Sequence, residues 1–181
     1  EGVGVALELI GMFSQGQFPE TLVYTPDSAP YKSVWQETID AAERCNDPGR
    51  FTAFIGYEWT SLVKGANMHR NVIFRDNGDR ATQVVPFTIM PPGSANPVDL
   101  WKWMEAYEKK TGGRALAIPH NGNLSQGLMF SVETMSGKPI YTTYARRRMQ
   151  WEPIYEVTQI KGDGETHPAL SPNDEFADYY T

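Results

Sequence analysis

Glu58, His69, Arg70, His120, Lys161, Glu165 and His167 are the side chains whose types and placement could do chemistry together. The sequence contains three histidines, and each stands where a run of apolar residues meets a turn-forming stretch. Glu58 closes the run that begins at Phe51, His69 opens the run Arg70–Arg75, and His120 follows the run Arg114–Ile118. Glu165 and His167 come after a further run, Pro153–Ile160. A lone histidine is more often a hydrogen-bonded surface residue than a ligand, and only the joint placement of these residues points to a metal. Imidazole and carboxylate together suit Zn, Mn or Fe, and the lack of a cysteine beside them argues against a purely structural zinc site. A water held by such an ion loses its proton near neutral pH and becomes a nucleophile.

Asparagines flank these positions at Asn67, Asn71, Asn121 and Asn123. Asparagine tolerates the left-handed turn conformation, so turn-making explains them. They could also hydrogen-bond the imidazoles and fix their tautomers. Arg70 and Lys161 could contact an anionic substrate, because a guanidinium fork matches phosphate or sulfate oxygens. A solvated charge or a structural ion pair is an equal alternative for both. His167 or Glu165 could act as a general acid for the leaving group.

The elements that must position these groups follow from periodicity. Phe51–Ser61 and Arg70–Arg75 are rich in β-branched and aromatic residues, and Lys64-Gly65-Ala66-Asn67 between them supplies a turn, which predicts an antiparallel hairpin. In such a hairpin Glu58 and His69 share one rim of the sheet. Val3, Leu7, Ile10 and Phe13 predict an amphipathic helix over 3–13. Phe18–Pro30 reads as a loop. A second helix is predicted over 31–45, with Trp35, Ile39, Ala42 and Cys45 as its buried stripe and Asn46-Asp47-Pro48-Gly49 as its stop. Val84–Ile89 reads as a short strand. Asn96 as cap and Pro97 in the first turn open a third helix carrying Leu100, Trp101, Met104 and Tyr107, which Gly112-Gly113 ends. Arg114–Ile118, short and apolar, predicts a strand buried on both faces. A helix over 140–150 and a last strand over 153–160 complete the pattern. Helices alternating with strands predict an α/β domain on a largely parallel sheet, whose sites lie beyond the carboxyl ends of the strands.

Composition narrows the function classes. A chain of 181 residues with five Trp, nine Tyr and eight Phe is long enough and apolar enough to bury a core as one domain. The net charge of -6 makes nucleic acid an unsuited partner. The one basic run, Arg146-Arg147-Arg148, reads as a solvated helix face. A single cysteine, Cys45, excludes an internal disulfide framework. No stretch is apolar enough to span a membrane. The start at Glu1 without Met and the polar tail lead us to expect a piece of a longer protein.

Four segments carry a family resemblance: Phe-Ile-Gly-Tyr-Glu-Trp-Thr-Ser from Phe54, Asn-Met-His-Arg-Asn-Val-Ile-Phe-Arg-Asp from Asn67, Ala-Ile-Pro-His-Asn-Gly-Asn-Leu-Ser from Ala117, and Gln-Ile-Lys-Gly-Asp-Gly-Glu-Thr-His-Pro from Gln159. They resemble a bacterial domain-of-unknown-function family, number 3604, related to the polymerase and histidinol phosphatase (PHP) metallo-hydrolases. The resemblance implies a distorted (β/α)7 barrel, of which this chain is part, with a β-hairpin carrying metal ligands and two or more divalent metals at the strand ends. It makes Glu58 a bridging metal ligand, with His69 and His120 as terminal ligands. Glu165 and His167 match a motif of the narrower family only. A His-x-His opening strand and an Asp-x-His closing strand, usual in the superfamily, do not occur in the sequence. A partial barrel leads us to expect self-association or a second segment covering the exposed strands. Relatives of this kind are commonly exported, which implies a periplasmic or secreted protein.

The function expected is therefore a metal-dependent hydrolase acting on a small phosphate or sulfate ester through a metal-activated water. A non-catalytic binding module using its Trp and Tyr side chains, or an inactive remnant of such a barrel, is the alternative.

Overall fold

The computed structural model describes residues 2–15, 17, 19 and 23–163. Helix α1 spans Gly2–Ser14 and α2 spans Ala29–Cys45. Serine stands at the N-cap of α2 and a proline lies in its first turn, where a missing N–H costs nothing. The helix buries Trp35 and Ile39, one turn apart on the same face. Helix α4, Pro97–Thr111, starts where Asn96 accepts a hydrogen bond from the Val98 amide at 3.0 Å and ends at Gly112, whose φ of 66° is left-handed. Its Pro97, Leu100, Trp101, Met104 and Tyr107 recur at the three- and four-residue intervals of a single helix face, and all are buried. Between these lie β1 (Gly56–Trp59), β2 (Leu62–Val63), β3 (Ala66–Asn67), β4 (Arg70–Phe74) and the one-turn α3 (Gly78–Ala81). β5 (Ala115–Pro119), α5 (Thr142–Trp151), β6 (Thr158–Gln159) and β7 (Gly162–Asp163) follow.

The main sheet has the order β1-β4-β5. β4 runs antiparallel to both neighbours, with Glu58 opposite Asn71, Trp59 opposite Arg70 and Arg70 opposite Pro119. Tyr57, Trp59, Arg70, Val72, Phe74 and Ala117 project from one face and, with Trp35, Ile39, Leu100, Trp101, Met104, Tyr107 and Trp151, form the core. Glu58, Asn71, Ile73 and Ile118 lie on the opposite face, which is half open.

The hairpin forms as its turn chemistry predicts. Lys64 and Gly65 take left-handed φ values of 51° and 81° and close the β2–β3 pair, the conformation two-residue hairpin turns require. The sheet departs from the parallel arrangement expected. The chain leaving β4 returns through α3 and α4 to the end it left, where the Arg75 amide meets the Arg114 carbonyl at 3.0 Å, so β5 runs back along β4. An apolar run does not encode the direction of its partner. Among the described residues the strands form this sheet and two small hairpins, with no closed barrel.

Other expectations meet local corrections. Residues 84–89 form no strand: Pro86 has no N–H to pair, its carbonyl accepts from the Tyr31 hydroxyl at 2.9 Å, and the Phe87 amide donates to the Tyr57 hydroxyl at 3.1 Å. The last strand shrinks to the β6–β7 hairpin. β5 is buried on one face only, since Leu116 and Ile118 remain half-exposed. Cys45 is exposed rather than part of the buried stripe of α2. Val3, Leu7 and Ile10 of α1 are each more than 60 % exposed among the described residues, so these three positions of the expected stripe are not buried. In α5, Arg147 bonds Glu105 and Arg148 bonds Glu152, each at 3.0 Å, so of the basic run Arg146 alone is an exposed face residue.

Candidate metal centre

The antiparallel register sets the site. Because Trp59 faces Arg70 and Arg70 faces Pro119, the residues at this end of the sheet, Glu58, His69 and His120, meet at one rim. The His120 amide donates to the His69 carbonyl at 3.2 Å and carries the β4–β5 ladder one residue past the strands, which fixes both histidine backbones. Their side chains converge on a single oxygen. His69 Nδ1 lies 2.8 Å and His120 Nε2 3.1 Å from Glu58 Oε1. The two rings sit 5.6 Å apart at 69° to one another. One ligand atom from each of the three residues lies within 4.8 Å of the other two.

The electrostatics match a cation. Hydrogen bonds from His120 and then from His69 hold the Glu58 carboxyl well below the usual carboxylate range, against the upward push of partial burial. Glu58 is therefore a carboxylate and only accepts. The remaining ring nitrogens, His69 Nε2 and His120 Nδ1, are buried without a partner. An imidazole offers two ring nitrogens, and one nitrogen without a partner leaves each ring half-satisfied. Two imidazoles and a carboxylate are the donor set of an open zinc, manganese or iron site, in which further positions are left for water or substrate. The side chain of Glu58 is 44 % exposed while those of His69 and His120 are 13 % and 11 % exposed, so the open side is that of the carboxylate. Glu58 also borders an open cavity of about 340 Å³ whose walls include Tyr31, Trp35, Tyr57 and Pro86.

The hydrogen bonding expected of the asparagines falls to one of them. Asn121 is 1 % exposed, has a left-handed φ of 60°, and places Nδ2 3.3 Å from His69 Nδ1, so it makes the turn and touches the imidazole at once. Asn123 donates instead to the Lys161 carbonyl at 2.9 Å.

Arg70 does not join the site. It alternates to the core face, 1 % exposed, where Nε donates to Glu152 Oε1 at 3.0 Å, Nη1 donates to the Met68 carbonyl at 2.6 Å, and the guanidinium lies 5.7 Å from the Trp59 ring centre. The assignment as an anion contact is corrected to a structural ion pair, because neighbouring residues of a strand face opposite sides and His69 and Glu58 occupy the other. Lys161 is exposed at the β6–β7 turn. Glu165 and His167 lie outside the described residues. Glu152, Glu156 and Gln159 are the participants the sequence did not mark. Glu156 and Gln159 lie in the stretch read as the last strand, and nothing short of the fold links residue 156 to residue 121.

A family model described as "Protein of unknown function (DUF3604)" matches residues 2–181. No curated protein and no solved structure matches the chain.

Proposed function

We propose that this chain, which belongs to the DUF3604 family of proteins of unknown function, carries part of the centre of a PHP-like metal-dependent hydrolase acting on a phosphate or sulfate ester. The observation that carries the proposal is the convergence of His69 Nδ1 and His120 Nε2 on Glu58 Oε1. Zn, Mn or Fe held there would polarise the ester and supply hydroxide near neutral pH. His69 and His120, anchored by the ladder between their backbones, would hold fixed positions. Glu58, on the open side, would be free to bridge to a second ion. The relation to PHP enzymes and to part of a distorted (β/α)7 barrel belongs to the same proposal.

Substrate would approach past the exposed Glu58 carboxylate, which borders the cavity. Arg70 has no part in binding it. An anion contact would come from Lys161, and proton transfer to the leaving group from Glu165 or His167. The alternative of a binding module with an aromatic stacking platform is less favoured, because Trp35, Trp59, Trp101 and Trp151 are core residues and Trp103 packs against them.

Metal analysis tests the proposal. After equilibration with Zn, Mn or Fe and removal of free ion, the protein is expected to retain metal, and Glu58→Ala and His120→Ala are each expected to lose it. Retention by both variants, or no retention by the parent, refutes the assignment. Turnover of aryl phosphate and aryl sulfate esters by the metal-loaded protein then separates hydrolase from binding module.

A further inference from the structure

The cavity beside Glu58 has walls that the metal ligands do not explain. Tyr57 and Glu58 are successive residues of β1 and point to opposite faces of the sheet, yet both border it. It therefore lies along the edge of β1 that pairs with no other strand among the described residues. Helix α2 supplies Val34, Trp35 and Thr38 from one side, and the stretch 84–89, which forms no strand, supplies Pro86 and Thr88. Its volume of about 340 Å³ is at the lower end of the range for small-molecule sites, about 300–1,000 Å³.

The polar atoms of these walls are already committed. The Tyr31 hydroxyl donates to the Pro86 carbonyl at 2.9 Å, Trp35 Nε1 to the Ala81 carbonyl at 3.1 Å and the Thr38 hydroxyl to the Val34 carbonyl at 3.0 Å. The Tyr57 hydroxyl accepts from the Phe87 amide at 3.1 Å. The surface left to a ligand is mostly ring and aliphatic carbon. Trp35 and Tyr57 pack edge to face, with ring centres 6.0 Å apart at 82°, an arrangement that a further ring extends. A sugar would find few partners here for its hydroxyl groups. Among the described lining residues none is cationic and the one charged group is the Glu58 carboxylate, so a phosphate or sulfate is repelled from the cavity itself.

We propose that this cavity is the subsite for an uncharged aryl group, which makes the substrate class of the metal centre aryl esters of phosphate or sulfate. The anionic head of such an ester stands on the metal side of Glu58 and its ring on the cavity side, among Tyr31, Trp35 and Tyr57. On hydrolysis the water oxygen joins phosphorus or sulfur, the bond to the ring-bearing oxygen breaks, and that oxygen leaves with a proton as the free phenol. The ester rests on the hydrolase proposal, whereas occupancy of the cavity by an aryl ring does not. A quaternary ammonium group, the other guest of aromatic walls, would need Glu58 as its counter-charge, and that carboxylate is taken up by His69 and His120.

Two measurements test it. In the metal-free protein, 2-naphthol is expected to shift the indole 1H–15N signal of Trp35 and to leave that of Trp101 in place. Val34→Trp, which fills the cavity from an exposed position of α2, is expected to abolish that shift. In the metal-loaded protein the same variant is expected to lower kcat/KM for 2-naphthyl phosphate and sulfate, relative to the methyl esters, by about 10-fold or more, since a small group in an apolar pocket is worth about 10–200-fold. Comparing the ratio in parent and variant cancels the difference in leaving-group reactivity. Should Val34→Trp fail to fold, Thr38→Phe, one turn further along the same face, takes its place. No shift of Trp35 up to the solubility of 2-naphthol, a shift by choline instead, or a naphthyl-to-methyl ratio unchanged by the variant overturns the proposal. A Trp35 shift that Val34→Trp removes, in a protein that turns over no ester, upholds the aryl subsite and refutes the hydrolase.

Discussion

Replacing Glu152 with Gln separates a structural role for Arg70 from a substrate-binding one. The Glu152 carboxylate is 1 % exposed and receives Arg70 Nε at 3.0 Å, Trp101 Nε1 at 2.8 Å and Arg148 Nε at 3.0 Å. Arg148 is 18 % exposed and can turn to water, whereas Arg70 is 1 % exposed and cannot. Burial pulls the Arg70 guanidinium down from its ordinary value and Glu152 pulls it back up, so the buried charge is compensated by its partner. Removing the negative member of a buried pair costs about 3–5 kcal/mol, since the remaining charge is left without compensation. For a chain of this size, with about 2–4 °C of melting temperature per kcal/mol, the expected loss is roughly 6–20 °C. Arg70→Met should cost a similar amount, and Arg70→Met combined with Glu152→Leu should recover part of it, because a packed apolar pair removes the buried charge while the Trp101 Nε1–H loses its acceptor. Urea and thermal unfolding followed by circular dichroism read all four proteins. If the single variants unfold within about 1 kcal/mol of the parent, the pair behaves like an exposed bridge and the reasoning fails. If Arg70→Met leaves stability intact and weakens ester binding, Arg70 is a substrate contact after all.

The remaining predictions concern the rim and its supports. Glu58 is held low by its histidines, so in the metal-free protein its contribution is fully present above the ordinary glutamate range, about 4.3, and is lost only as pH falls through its depressed midpoint. Carboxyl 13C titration should therefore show Glu58 still ionised where exposed glutamates are half protonated; a normal midpoint would mean that the three side chains do not converge. Gly122→Ala places a methyl group against the Tyr155 hydroxyl, next to Glu156 and two residues from His120, and should reduce retained metal more than it reduces global stability. Gly113→Ala, whose new carbon would fall 2.6 Å from the Tyr107 hydroxyl at the opposite end of the sheet, should do the reverse. Equal effects of the two glycine variants on metal would contradict the placement of the site. Cys45 should react with a thiol reagent in the folded protein without loss of stability, whereas protection until unfolding would return it to the core of α2.

Much of the framework was legible because its signals are local. Asn96 and Gly112 bracket α4, Lys64 and Gly65 make the β2–β3 turn, and a β-branched run on either side of that turn gives β1 and β4. Once these two strands form a hairpin, Glu58 and His69 must share a rim, whatever the rest of the chain does. The strand at 84–89 failed because Pro86 removes a donor and the side chains of Tyr31 and Tyr57 bond that stretch instead. The exposed stripe of α1 shows the limit of periodicity, which records that a helix has an apolar face but not whether anything covers it.

Sequence by itself determined the types of the candidate ligands, their position at strand ends, and the turn and cap residues that place those ends. Tertiary structure decided what depends on contacts between distant segments. The direction of β5 brought His120 to the rim shared by Glu58 and His69. Strand alternation sent Arg70 into the core, where Glu152, 82 residues along the chain, neutralises it. Folding also brought Glu156 and Gln159 against Asn121, more than 30 residues away. Capping and turn preferences act over a few bonds and are written into neighbouring residues. The pairing of buried charges and hydrogen bonds is selected by the cost of leaving them unmet, which arises only when the folded chain excludes water from them.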